Sequence, residues 1–167
     1  DILINGLSIK KNPVECKKQI AYIPDNPDLY ESLTGIKYLN FISDIYQISK
    51  EQRKEQIEKY AKLFGLTDSL NNYIASYSHG MKQKLCLAAS LLHNPDIWIL
   101  DEPTVGLDII ATEELKKMMR EYANHGKCVF VTSHNIDLVS KLCDRVAIVN
   151  DGVVKEVHDL NKNPNKR

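Results

Sequence analysis

The fold is decided by the stretch Ile97-Trp98-Ile99-Leu100-Asp101-Glu102. Its unbroken apolar run indicates a strand buried on both faces, as in a parallel sheet. The strand delivers two carboxylates at its carboxyl end, the edge where ligands bind in open α/β sheets. One carboxylate can hold Mg²⁺ through its water shell, and the other can polarise a water for attack on phosphorus. Acids that only face solvent also follow strands, so this stretch alone does not decide the chemistry.

Strands and helices alternate on both sides of this stretch. A helix is predicted over 112–123, where Leu115 and Met118 share one face, and a strand is predicted over 127–131. This β-α-β order implies parallel strands. Further predicted elements are an opening hairpin at Asn5-Gly6, a strand over 20–23, helices within 32–70 (one capped by Ser49 with Gln52), a helix over 78–93, a helix over 136–143, and strands over 145–149 and 153–157.

We therefore predict an α/β fold with a mostly parallel sheet. The sheet core is carried by 1–30 and 94–157, a helical subdomain by 31–93, and a C-terminal tail by 158–167. A chain of 167 residues that is 43% hydrophobic is large enough for a core, and its length predicts one folded unit.

Composition limits the partners. Lys plus Arg and Asp plus Glu are both 22, so net charge gives no support for a nucleic-acid partner. Apolar runs such as 85–89 are far shorter than the ~20 residues that span a bilayer, so a membrane role would be peripheral. The four cysteines are scattered without a Cys-x-x-Cys, which predicts reduced, buried thiols in a cytosolic protein.

Two further motifs carry polar chemistry. Thr132-Ser133-His134 follows the next apolar strand, so His134 is expected at the same sheet edge as the acids, where it can contact a terminal phosphate. Ser78 can cap the helix that begins near it, and Gly80 allows close backbone approach to an anion at the helix start. Taken alone, each motif is more often an ordinary strand end or helix start.

Together the motifs resemble those of ABC ATPases, in the order of that family. The run Tyr77–Lys84 resembles the signature motif (the signature segment), Ile97–Glu102 the Walker B strand, Val105–Asp108 the D-loop, and His134 the switch histidine. The resemblance covers nearly the whole chain, with 21–24 leading into the Q-loop and 29–72 matching the helical subdomain. It implies a P-loop NTPase-like core that binds ATP and Mg²⁺.

The resemblance also implies roles for individual residues. Asp101 would organise Mg²⁺, Glu102 would act as catalytic base, and His134 would touch the γ-phosphate. In this family two ATPase domains close head to tail, so Ser78, His79 and Gly80 would cover the ATP held by the other subunit. Asp108 would link the two sites, and the dimer would drive a permease from the cytoplasmic face of the cell membrane.

The sequence departs from the family pattern in three ways: at the Q-loop, in the signature segment and at the phosphate-binding loop. Asp25 stands where the Q-loop usually has Gln, which makes it a potential ligand near Mg²⁺. His79 and Met81 replace the usual Gly and Gln of the signature, a form similar to that of bacterial exporters.

The third departure is the absence of Gly, four residues, then Gly-Lys-Ser/Thr, the loop that cradles phosphates. The one Gly-Lys pair, Gly126-Lys127, is followed by Cys128 and has Glu121 where the first Gly belongs. The resemblance places this Walker A loop, and the aromatic residue that stacks on adenine, upstream of the first strand.

Two alternatives stay open at this level. A soluble ABC protein acting on ribosomes or DNA has the same motifs, although the balanced charge and the single motif set favour a transporter subunit. A non-catalytic module that offers only its signature face to an intact partner would also lack the phosphate loop. The sequence does not distinguish a homodimer from a heterodimer and does not identify the transported substrate.

Overall fold

The computed structural model describes residues 1–160, which divide into two compact units. The first is Asp1–Thr132, and the second begins at Ser133. Chain length predicted one unit, and this expectation was wrong because no strand ladder among residues 1–160 joins the two. The predicted division into core, helical subdomain and tail stays a prediction.

The first unit contains most of the regular structure. A two-stranded antiparallel hairpin opens it, and its Asn5-Gly6 turn has positive φ at both residues, as predicted. The elements in order are β1 (Leu3–Ile4), β2 (Leu7–Ser8), α1 (Pro13–Lys18), β3 (Ile20–Ile23), α2 (Gly35–Ile45), α3 (Lys50–Leu63), α4 (His79–Leu91), β4 (Ile97–Asp101), α5 (Ile109–Asn124) and β5 (Cys128–Thr132).

Strands β3, β4 and β5 form the parallel sheet that the sequence predicted, with β4 in the centre. Trp98 is fully buried on one face, where its Nε1–H donates to Ser90 Oγ of α4 at 3.1 Å and its ring lies 5.5 Å from that of Tyr122 on α5. Helices α4 and α5 therefore cover this face. Tyr22 and Phe130 occupy the other face and are each 57% exposed.

Side-chain caps mark the starts of helices α2, α3 and α4. Thr34 caps α2, Ser49 caps α3 as predicted, and Ser78 caps α4, each accepting from a backbone N–H three residues later. Helix α5 begins three residues before its predicted start because Asp108 supplies its cap. The sequence reading missed α1, although Pro13 in its first turn and lysines in its last turn are typical helix signals.

The second unit comprises α6 (Ile136–Leu142), β6 (Arg145–Asn150) and β7 (Val153–Asp159). The two strands pair antiparallel across the predicted Asp151-Gly152 turn. Strand β7 continues two residues into the segment predicted as tail, whose residues 161–167 lie outside the described part of the chain.

The prediction that the cysteines are buried was wrong for Cys128, which is exposed. Strand alternation explains the difference, since Cys128 and Phe130 lie two residues apart and share the exposed face of β5. Cys16 is buried, and Cys86 and Cys143 are intermediate. Within residues 1–160, no helix has both the length and the apolar character needed to cross a membrane.

Candidate functional site

Asp101 is the last residue of β4, and its partner is Thr132, the last residue of the neighbouring β5. The two residues are opposite each other in the register, and the Thr132 hydroxyl donates to Asp101 Oδ1. This bond orients one carboxylate oxygen and leaves the other available for a ligand. Thr132 was noted in the sequence as a strand end but was not assigned a role.

Glu102 follows with a strained backbone, at φ 42°. A non-glycine residue in this region costs about 1–3 kcal/mol, and such residues occur in turns and cluster at functional sites. Its N–H donates to the Thr132 carbonyl at 3.1 Å, and its own carbonyl accepts from Val105 N–H at 3.1 Å. The chain therefore turns sharply at Glu102 and enters the D-loop.

Asp25 lies beyond the end of β3 and is exposed. Ile23 and Leu100 are opposite each other in the parallel register. Asp25 follows Ile23 by two residues, and Glu102 follows Leu100 by two residues. The topology therefore brings the predicted Q-loop residue and the acid pair to the same sheet edge.

His134 is exposed and precedes Asn135, which caps α6 by accepting from Leu138 N–H at 3.0 Å. It belongs to the second compact unit, whereas Asp101 and Glu102 belong to the first. Its approach to the acid pair stays a prediction.

The signature segment begins α4 as predicted. Ser78 Oγ accepts from Met81 N–H at 3.3 Å, and Ser78 and His79 are exposed. Gly80 approaches the D-loop, because a Cβ at Gly80 would lie 2.5 Å from the carbonyl oxygen of Gly106. The absence of a side chain at Gly80 is thus required by a contact within this chain.

Asp108, at the end of the D-loop, is held within its own chain. Its Oδ1 accepts from Ala111 N–H at 2.8 Å and its Oδ2 from Lys84 Nζ at 2.6 Å. The Lys84 hydrogen bond, followed by that from Ala111, lowers the pKa of the Asp108 carboxyl. Lys84 stood at the end of the signature segment, but a partner 24 residues away in sequence could not be predicted.

The carboxylates at this sheet edge are oxygen ligands of the type that Mg²⁺ prefers. Among residues 1–160, no three His, Cys, Asp or Glu side chains are grouped to hold a metal. Mg²⁺ usually keeps several waters and binds one or two carboxylates together with phosphate oxygens. Asp101, with Asp25 on the neighbouring strand end, fits that mode and does not fit an all-protein cage.

The groove of about 850 Å³ between α2 and α3 is separate from these residues. Its floor includes Ile57 and Leu70 and its rim includes Lys50 and Arg53. None of the predicted site residues lines it.

Comparison with known proteins decides the family. The sequence profile described as ABC transporter matches residues 1–105, well over half of the chain. The chain belongs to the ABC transporter family. The fold is the expected P-loop NTPase-like one. The assignment of the signature segment, the Walker B strand and the D-loop to their residues stays a prediction.

Individual ABC proteins support this assignment. The uncharacterized ABC transporter ATP-binding protein YhcH of Bacillus subtilis is 40% identical over 164 residues, which are 96% of this chain and 52% of YhcH. A solved structure of the ATP-binding subunit of an ABC transporter superposes with a TM-score of 0.90 at 32% identity, covering 95% of this chain and 66% of that chain. The chain thus spans about half the length of YhcH.

A second structure shares the fold at lower identity. The ATP-binding cassette MJ0796, in a dimeric post-hydrolysis state bound to ADP and Pi, superposes with a TM-score of 0.79 at 24% identity. The match covers 93% of this chain and 69% of that chain.

Proposed function

We propose that this chain is part of the ATP-binding and ATP-hydrolysing subunit of an ABC transporter, which couples ATP-driven dimer closure to transport by a membrane permease. One observation carries the proposal: β4 ends in Asp101-Glu102 beside the end of β5, with the D-loop running from Glu102 back to the signature helix α4. Ordinary strand ends do not combine an oriented carboxylate with a strained acid.

In the proposed reaction Asp101, whose Oδ1 accepts from the Thr132 hydroxyl, would help to hold Mg²⁺. Glu102 accepts a proton from the attacking water, and His134 donates to the γ-phosphate. When bound, Mg²⁺ supplies positive charge that offsets the charge on the phosphate oxygens. Asp25 would add a second carboxylate near the metal.

The partners in this proposal are a second ATPase domain, in a homodimer or a heterodimer, and a permease. The dimeric state of MJ0796 supports the first, and the family assignment supports the second. Ser78, His79 and Gly80 would then face the nucleotide of the other subunit. We propose a peripheral location on the cytoplasmic face of the cell membrane, and export as the direction, which the form of the signature favours.

The proposal is tested with Glu102→Gln in the gene product that carries this sequence. Loss of a general base should slow ATP hydrolysis by roughly 10²–10⁴-fold. The control is Glu114→Gln, which removes a half-buried carboxylate that pairs with Lys117 on α5 and should leave turnover unchanged. If Glu102→Gln hydrolysed ATP as fast as the wild-type protein, Glu102 would not be the general base. If the wild-type protein hydrolysed no ATP, the proposed ATPase activity would be wrong.

A second expectation concerns residues 1–167 alone. They contain no phosphate-binding loop, whose amides and lysine supply most contacts to ATP phosphates in P-loop proteins. Residues 1–167 should therefore neither hydrolyse Mg-ATP nor bind it tightly. Calorimetry that measured micromolar affinity would contradict this.

A further inference from the structure

The start of α4 and the D-loop touch at three places within the first unit. Gly80 lies against Gly106, the His79 ring lies against Gly106, and Lys84 bonds to Asp108. Both segments carry family motifs, and in the proposed dimer they serve different nucleotides. A contact between the two segments therefore connects the part of a subunit that acts on its own nucleotide with the part that acts on its partner's nucleotide.

The glycine contact leaves no space for a side chain on either segment. A Cβ at Gly80 would meet the Gly106 carbonyl oxygen at 2.5 Å, and a Cβ at Gly106 would lie 3.0 Å from His79 Nε2. Gly106 also has φ 77°, a conformation that glycine adopts without strain. Because the two backbones are in direct contact, a displacement of one presses on the other.

The ion pair fixes the end of the D-loop. Lys84 Nζ lies 2.6 Å from Asp108 Oδ2, and the Lys84 side chain is only 19% exposed. The other carboxylate oxygen accepts from Ala111 N–H, so Asp108 is attached to α4 and α5 at once. Charge-assisted hydrogen bonds of this type are shorter and stronger than neutral ones.

Glu102 lies three residues before the D-loop and begins the longer segment that ends at Asp108. Its N–H is bonded to the Thr132 carbonyl of β5, and Val105 N–H closes a turn back onto Glu102. Leu107 N–H donates to the Thr104 carbonyl at 3.3 Å, which closes a second turn. The segment from Glu102 to Asp108 is thus anchored at both ends and turned twice between them.

We propose that Lys84 is a positioning residue that holds the D-loop to the signature helix and thereby fixes the turn from which Glu102 extends. This inference rests on the proposed function, in which Glu102 serves the subunit's own nucleotide and the signature segment serves its partner's. Movement of α4 when the partner's nucleotide is bound or lost is transmitted through Lys84 and Asp108 to Glu102.

The test compares two lysines in the gene product that carries this sequence. Lys84→Met removes the bond to Asp108, and the matched control Lys116→Met removes a similar ion pair, Lys116 Nζ to Glu113 Oε1 at 2.7 Å, on the exposed side of α5. Amide hydrogen exchange of Val105 and Leu107 is measured without nucleotide. Lys84→Met should speed it by about tenfold, because local opening becomes easier, whereas Lys116→Met should not change it.

Lys84→Arg should restore slow exchange to within about threefold, since guanidinium can donate to the same carboxylate. Asp108→Asn is the milder variant: asparagine still caps α5 but loses the charge that attracts Lys84. It should speed exchange as Lys84→Met does, and the double variant should add little. Wild-type exchange rates in both single variants, or equal acceleration by Lys116→Met, would overturn the proposal.

The kinetic readout separates this inference from the proposed function. In the hydrolysing protein, Lys84→Met should lower kcat about 3–10-fold and leave KM for ATP within about twofold, as expected for a group that acts on transition-state geometry. An unchanged kcat would contradict the positioning role. If the wild-type protein hydrolyses no ATP, the proposed function fails, while the exchange measurement still decides whether Lys84 holds the D-loop.

Discussion

The hydroxyl of Thr132 donates a hydrogen bond to Oδ1 of Asp101, and these two residues end neighbouring parallel strands. The Thr132 carbonyl also accepts from Glu102 N–H. One threonine therefore holds the side chain of the first acid and the backbone of the second. This arrangement links the register of the sheet to the Asp101 carboxylate and to the backbone of Glu102.

Replacing Thr132 should lower the apparent affinity for Mg²⁺ more than it lowers the stability of the fold. Thr132→Val keeps the shape and the backbone contact to Glu102 but loses the bond to Asp101. A hydrogen bond to an exposed charged group is worth about 1 kcal/mol, so the Mg²⁺ concentration for half-maximal ATP hydrolysis should rise about 3–10-fold. Thr132→Ser keeps the hydroxyl and is the control. Equal Mg²⁺ dependence in the Val and Ser variants would exclude this role.

His93 makes stability depend on pH. Its ring stacks on Tyr46 at a centroid distance of 3.7 Å, and its Nε2 lies 3.3 Å from the Ile20 carbonyl, which fixes Nε2 as donor. Burial is the main cause that lowers the His93 pKa, and the charge of Lys127 lowers it further. Tyr38 and Cys86 line the same small cavity of about 120 Å³.

The sign follows from linkage. Because the folded pKa lies below the unfolded value of about 6.5, the unfolded chain binds more protons as pH falls through that value. Stability should therefore be highest above pH 7 and decrease toward pH 5. Urea unfolding of His93→Gln should show a smaller loss over that range, and His125→Gln, at an exposed position, should behave like wild type. An equal loss in His93→Gln would assign the effect to other groups.

The sequence predicted those parts of the fold that depend on local pattern. The run before Asp101 predicted a buried parallel strand, and Ser49 and Ser78 marked true helix starts because a cap acts within three residues. Long-range contacts were not predicted, since nothing in the sequence indicates that Lys84 bonds to Asp108 or that Gly80 touches Gly106.

Cys128 shows how a local pattern can mislead. It stands at the start of an apolar run, which predicted burial, yet one face of β5 is exposed. A strand's apolar pattern does not reveal which face its neighbours cover. The positive φ of Glu102 was also not predicted, because no residue near it in the sequence indicates one.

Lys127 was predicted as the first residue of a strand and as part of the Gly126-Lys127 pair, and the structure assigns it a structural role. Its Nζ lies 2.6 Å from Asn94 Oδ1 and 2.8 Å from the carbonyl oxygens of both Asn94 and Pro95. The ammonium also lies 4.7 Å from the centre of the Tyr122 ring. Asn94 has φ 52°, so Lys127 holds a strained turn between α4 and β4.

Lys127→Met should therefore destabilise the protein. It removes three hydrogen bonds and a cation–π contact from a half-buried ammonium, and we expect a loss of about 1–2 kcal/mol in the free energy of unfolding. Lys117→Met removes only an exposed i,i+3 pair with Glu114 and should change stability by less than about 0.5 kcal/mol. Urea titrations of both variants measure the difference. If the two losses were equal, the turn between α4 and β4 would not depend on Lys127, and the backbone hydrogen bonds from Asp96 and Ile97 to the Gln19 carbonyl would be sufficient to hold it.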